Sequence, residues 1–157
     1  MANKVSYLEV LRKIDEIAAA LQDFIEDFFG GGGPLLRPAQ TFRNGKGKDN
    51  REKGHDSIRM IIESFEWQRE RSDRVIKLLE EFDVMLGECD EKLGDVILKQ
   101  FAISYIDYNS DNMTKNTGLM YFFRETLPAV IYWAFSDIDR IKLEKLLSEL
   151  ESWRKKR

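Results

Sequence analysis

Cysteine and histidine each occur once in the 157 residues, as Cys89 and His55. That excludes an internal disulfide and leaves no Cys/His set for a zinc site. No apolar run approaches the roughly 18 residues a membrane span needs. The opening MANKVSYLEV has neither the apolar core nor the cleavage site of a secretory leader, so a cytoplasmic chain without membrane contact is expected. Strand-like alternation and internal repeats are absent. So are the sequence signatures of a phosphate-binding loop, a serine-hydrolase elbow and a zinc-protease helix. A Ser/His/Asp relay would have to use His55, which lies beside Asp56 with no nucleophile assigned to it and reads as a surface or capping histidine. No cofactor and no metal are expected.

Proline and glycine are scarce too, except in one place. Gly30 to Gly54, GGGGPLLRPAQTFRNGKGKDNREKG, holds seven of the ten glycines and two of the three prolines. It carries six Lys or Arg against two acids, a balance of +4 in a chain of net charge −3, which leaves the remainder at about −7. Four successive glycines and Pro34 oppose a helix, and Leu35, Leu36 and Phe42 are too few to build a core. Residues 30–54 therefore read as a flexible basic insert within a single domain spanning 1–157. Arg37, Arg43, Lys46, Lys48, Arg51 and Lys53 are its candidate contacts to an anionic backbone, against the alternative of a solvated linker.

What is abundant is helical periodicity. From Val5 to Phe29 the apolar positions Tyr7, Val10, Leu11, Ile14, Ile17, Ala18, Leu21, Phe24, Ile25 and Phe28 form one narrow seam, ended by Gly30. The later helices should cover it, self-association being the other way to bury it. A second helix starts at Asp56 or Ser57 with Ile58, Ile61, Ile62 and Phe65 inward. It breaks near Arg71, and a third carries Val75, Ile76, Leu79 and Phe82 and stops before Gly87. Trp67 falls opposite the apolar stripe near Arg69, Arg71 and Arg74, available for stacking or an interface pocket. Asp90 caps a central helix from Leu93 to Tyr108 whose one polar stripe is Gln100, Ser104 and Asp107. After a polar loop from Asn109 to Gly118 comes LMYFFRETLPAVIYWAF, too apolar for a surface helix, with Pro128 marking a helix start near Thr126. Ser136 to Asp139 resembles a capping box. The last helix presents Ile138, Ile141, Leu143, Leu146, Leu147, Leu150 and Trp153 and ends in Arg154, Lys155, Lys156 and Arg157. The fold class is all-α, a single-domain bundle of about six to seven helices with a long Gly-rich basic loop after the first.

Three family resemblances follow from particular phrases. Glu63-x-x-Glu66 and Glu91-Lys-Leu-Gly-Asp95 resemble the acids with which MazG-like nucleotide pyrophosphohydrolases hold Mg²⁺, although the second motif's last acid falls at Lys92. Ser57-Ile-Arg59-Met-Ile-Ile resembles the start of the helical bundle in the small subunit of type III CRISPR effector complexes. Leu146-Leu-Ser-Glu-Leu-Glu151-Ser-Trp is similar to that family's closing helix. The family's aromatic-Ala-Gly-Arg phrase is replaced here by Tyr108-Asn109-Ser110. Ser57-Ile, Val75-Ile and Ile103-Ser-Tyr-Ile-Asp-Tyr-Asn109-Ser110 look like helices two to four of the domain that reads the C-terminal tail of RNA polymerase II. In that domain a tail-contacting Asp would fall at Tyr105 and a phosphate-contacting Arg at Lys145.

The chain begins with Met1 and closes on a basic helix end, as a small complete reading frame would, which favours the CRISPR subunit. That resemblance implies a non-catalytic RNA-binding protein, partnered by guide and target RNA and by other subunits, with no enzyme activity of its own. Arg59, Arg69, Arg71 and Arg74 join the insert as its contact candidates. A phosphopeptide reader of the polymerase tail is the alternative, and a Mg²⁺-dependent pyrophosphohydrolase the third. The acidic balance, pI ≈ 5.4, opposes strong binding to free RNA.

Overall fold

A computed structural model describes residues 5–31, 48–66, 69–103, 118–135 and 140–156. Among them there is no strand, and the all-α class holds. The helices are α1 (Tyr7–Gly31), α2 (Asn50–Glu66), α3 (Arg69–Glu88) and α4 (Glu91–Ile103), then α5 (Leu127–Phe135) and α6 (Arg140–Lys156). A helical turn from Gly118 and a π-helical stretch, Phe122–Thr126, lead into α5.

The seam of α1 is buried as the periodicity predicts. Val10, Ile14, Ile17 and Leu21 are at most 1% exposed, and Leu11, Ala18 and Phe24 are also buried. The covering elements belong to the same chain. α1 runs antiparallel to α3, tied by Lys13 to Glu81 at 2.5 Å and by Arg74 to Asp23 at 3.2 Å. Phe24 meets Phe65 of α2 edge to face at 5.3 Å. Where α3, α4 and the π stretch meet, Phe82, Phe101, Phe122 and Phe123 form an aromatic cluster with centroids 4.9–6.1 Å apart. Each such ring removed from water contributes about 1.5–3 kcal/mol.

α2 and α4 are parallel neighbours, an arrangement that α3 makes feasible by carrying the chain back. Arg51 lies against Asp95, and Gly54 against Leu98 one turn further along both helices. A Cβ on Gly54 would meet the carbonyl oxygen of Leu98 at 2.4 Å and its Cα at 2.8 Å, so only glycine lets the two backbones approach this closely. Ser57, on the next turn, is fully buried and returns its hydroxyl to Lys53 O at 2.9 Å.

Several boundaries differ from the sequence reading. α1 continues through Gly30 to Gly31. α2 opens at Asn50, so the last five residues of the expected insert are helical, and neither Asp56 nor Ser57 is the cap. Asp49 takes that role, accepting from Glu52 N at 2.9 Å, while the Glu52 carboxylate reaches back to Lys48 N at 3.0 Å. α2 is described to Glu66 and α3 already runs from Arg69, so the restart expected at Ser72 falls earlier. Ser72 is then buried inside α3 and donates to Phe65 O at 2.9 Å, satisfying a carbonyl at the end of α2. α3 also runs past Gly87 to Glu88.

Asp90 is the cap of α4, accepting from Leu93 N at 3.1 Å. It also accepts the Tyr7 hydroxyl at 2.7 Å, which fastens the start of α1 to the α3–α4 corner. Val96 packs on the core, Gln100 is half-buried, and Ile103 is exposed at the end of α4. Ser104 to Thr117 lie outside the described residues, and with them the rest of the polar stripe, Ser104 and Asp107, and the loop from Asn109.

Pro128 is the second residue of α5, which opens next to Thr126 as expected, but the π stretch runs straight into that helix instead of leaving a free end. Leu127 N–H bonds to Phe122 O five residues back, and Pro128, next in line, has no N–H. One extra residue in the turn absorbs the lost hydrogen bond, and the helix continues. The segment is less buried than its composition suggests. Leu119, Met120, Phe122, Phe123, Leu127, Ile131 and Phe135 face inward, while Tyr121, Glu125, Ala129 and Trp133 are exposed on the opposite side. The apolar composition hides this because three of those four outward residues are themselves apolar. The suggested box at Ser136 to Asp139 lies outside the described residues.

Candidate nucleic-acid interface

The candidate cations among the described residues are divided between α2 and α3 and the turn before α2, and several are paired with acids. Arg37, Arg43, Lys46 and Trp67 lie outside the description, as does the side chain of Arg71. Arg51 and Lys53 belong to α2. Arg51 Nη1 is 2.5 Å from Asp95 Oδ1, and Nη2 donates to Leu86 O at 3.1 Å. Its guanidinium thus joins α4 to a carbonyl in the last turn of α3, a structural use in place of the predicted free contact. Lys53 is half-buried. Arg74 pairs with Asp23, and Arg69 lies 3.7 Å from Glu66, both on the surface.

Arg59 and Lys48 are different. Both are exposed, and no acid holds either side chain among the described residues. Arg59 occupies the phrase Ser57-Ile-Arg-Met-Ile-Ile: Ser57, Ile58, Ile61 and Ile62 turn inward and Arg59 is left outside. Arg51, His55 and Arg59 follow one line of α2 at four-residue spacing. His55 Nδ1 is 2.6 Å from Asp83 Oδ1 on α3, which makes it a helix-to-helix contact.

Acids interrupt the basic positions. Glu63 and Glu66 are exposed on α2, Glu70, Asp73 and Glu80 on α3, and Glu91 and Asp95 on α4. Exposed Arg and Lys alternate with these, so fields of both signs cancel over short distances. At the far end, Arg154 of α6 pairs with Asp15 at 2.7 Å, and Lys155 and Lys156 are exposed. α6 rests on α1 through Leu147, Leu150 and Trp153. Arg12 lies 5.7 Å from the Trp153 ring centroid, with its Nε buried and unbonded.

The four acids of the pyrophosphohydrolase resemblance separate into two pairs. Asp95 sits beside Arg51 at the start of α2, whereas Glu63 is twelve residues along the same helix, about 18 Å away at 1.5 Å per residue. Among the described residues no group of three or more His, Cys, Asp or Glu could hold a metal ion.

Two titratable groups are displaced. Burial, then the neighbouring Asp90 carboxylate, pushes the Tyr7 phenol well above its ordinary range. Burial pushes the Cys89 thiol up as well, against a smaller opposite pull that includes Arg51. Both lie at the α1–α3–α4 corner and stabilise it in their neutral forms.

Ile141, read in the sequence as part of the apolar face of the last helix, is instead 82% exposed at the start of α6, and Trp133, near the end of α5, is 74% exposed. Helical spacing from Glu125 through Ala129 to Trp133 is the signal that marks that face as outward. No helix among the described residues is long and apolar enough to cross a membrane. Compared with protein-family models, with curated proteins and with solved structures, the chain matches none.

Proposed function

We propose that the protein is a non-catalytic helical subunit that contacts an RNA backbone, of the kind its Ser57-Ile-Arg59-Met-Ile-Ile phrase resembles in type III CRISPR effectors. The observation that carries the reading is Arg59: an exposed guanidinium with no acid partner among the described residues, in a phrase whose isoleucines are buried. Lys48 and the terminal Lys155 and Lys156 are further cations of the same unneutralised kind. The acids between them keep contact with free RNA weak, so neighbouring subunits must supply much of the affinity and any chemistry.

Fluorescence anisotropy with a labelled RNA duplex tests this at about 50 and 200 mM salt. The full chain should bind weakly at the lower salt and lose binding at the higher. Arg59→Ala should reduce the slope of log affinity against log salt by about one. Equal binding by wild type and Arg59→Ala, or no binding at either salt, would overturn the reading. Preference for a serine-phosphorylated heptad peptide over RNA would transfer it to the polymerase-tail readers.

A further inference from the structure

A cleft of about 250 Å³ lies between α1, the π stretch and α6. Leu11, Ile14, Leu147 and Leu150 give it an apolar interior. Four charged side chains border it, and their pairing decides what it can accept. Arg154 is neutralised by Asp15 at 2.7 Å. Arg124 is drawn outward, with its Nε 3.2 Å from Glu125 and its guanidinium 4.6 Å from the exposed Tyr121 ring. The remaining one is Glu151, exposed at the rim and held by no hydrogen bond or ion pair among the described residues.

The π stretch and α5 form the facing wall. Phe123 and Pro128 both line the cleft. The site thus combines an apolar interior with a carboxylate that is unpaired among the described residues and can only accept. An anion would find no unpaired cation among the lining residues, and a neutral chain would leave the carboxylate unanswered.

We propose that this cleft binds a small primary ammonium ligand with an aliphatic body, the ammonium at Glu151 and the chain between α1 and α6. At roughly 30 Å³ per non-hydrogen atom the volume holds about eight such atoms, the size of a seven-carbon amine. The bound chain would lie on Leu147 and Leu150 and so clamp α6 onto α1.

Heptylamine, heptanol and heptanoate test this on the full chain by two-dimensional NMR titration. Heptylamine should shift resonances around Leu11, Ile14, Leu147 and Leu150 and bind about tenfold more tightly than heptanol, with heptanoate weakest. Glu151→Gln, at an exposed position and verified as folded by circular dichroism, should bring the amine down to the alcohol. Leu147→Trp should fill the cleft and lose both. Equal binding of amine and alcohol, an amine unaffected by Glu151→Gln, or no shifts with any probe would overturn the proposal.

Discussion

Arg51 and Asp95 are 44 residues apart in sequence and 2.5 Å apart in space, and the same guanidinium bonds the Leu86 carbonyl at 3.1 Å. One side chain therefore links α2, α3 and α4. Arg51→Ala should lower stability by about 0.5–1.5 kcal/mol, the pair's solvent exposure limiting the electrostatic part. Arg51→Lys should recover only part, because a single ammonium does not reproduce the two-point contact. Chemical denaturation measures both, and RNA binding should follow Arg59 and leave Arg51 without effect in the folded protein.

Two glycines should respond in opposite directions to the same change. Gly54→Ala places a methyl on the backbone of Leu98 and should cost about 1–3 kcal/mol even after its helix-propensity gain. Gly87→Ala, with nothing within 4 Å of the new carbon and α3 continuous on either side, should stabilise by about 0.5–1 kcal/mol. The expected shifts in Tm are a fall of about 2–12 °C and a rise of about 1–4 °C. A neutral Gly54→Ala would refute the close approach of α2 to α4.

The aromatic cluster should be the costliest place to make a hole. Phe82 is fully buried and touches Phe101 and Phe123, so Phe82→Ala should lose about 3–5 kcal/mol, with Phe82→Leu well short of that. Urea midpoints give the order directly. Trp133→Ala, at an exposed site, should move the midpoint little.

Alkali should destabilise the corner around Asp90. The folded Tyr7 phenol holds its proton above the unfolded value of 10.0, so its contribution is complete below that pH and is lost as pH rises beyond it. Tyr7→Phe should sacrifice the bond to Asp90 at neutral pH yet flatten the fall in stability between about pH 9.5 and 11. Identical alkaline slopes in wild type and variant would contradict the assignment.

Cys89 is buried, and its thiol is pushed above its ordinary range, so alkylation at pH 8 should be slow in the native protein. In urea it should approach the rate of a free cysteine. Rapid modification of the native protein would mean that the α3–α4 corner opens readily.

The α1 seam and the Asp90 cap are legible in the sequence because each depends on neighbours within a turn or two: apolar residues at helical spacing, and a carboxylate three residues before an amide it can accept. The start of α2 is not. Asn50-Arg-Glu-Lys-Gly has no apolar residue to mark a face, and Gly54 reads as a breaker when its role is to admit Leu98. What stabilises that turn is the Asp49 cap and cross-helix pairing through Arg51 and His55, whose partners stand far along the chain. The same distance hides which cations are free. Arg51 and Arg59 look alike in sequence, and only the fold separates the one bound to Asp95 from the one facing solvent.

The parallel packing of α2 on α4 also bears on how fast the protein can assemble. Antiparallel neighbours joined by a short turn can zip from that turn outward. Gly54 and Leu98 can meet only after the intervening chain has doubled back, a loop closure paid in entropy before any contact rewards it. Inserting glycines between Glu66 and Arg69 should therefore slow refolding measured by stopped-flow fluorescence, and an unchanged rate would place this pairing after the rate-limiting step. The close approach of α2 to α4 can then form only once α3 has turned the chain, and the hairpin of α2 and α3 must hold without it in the meantime.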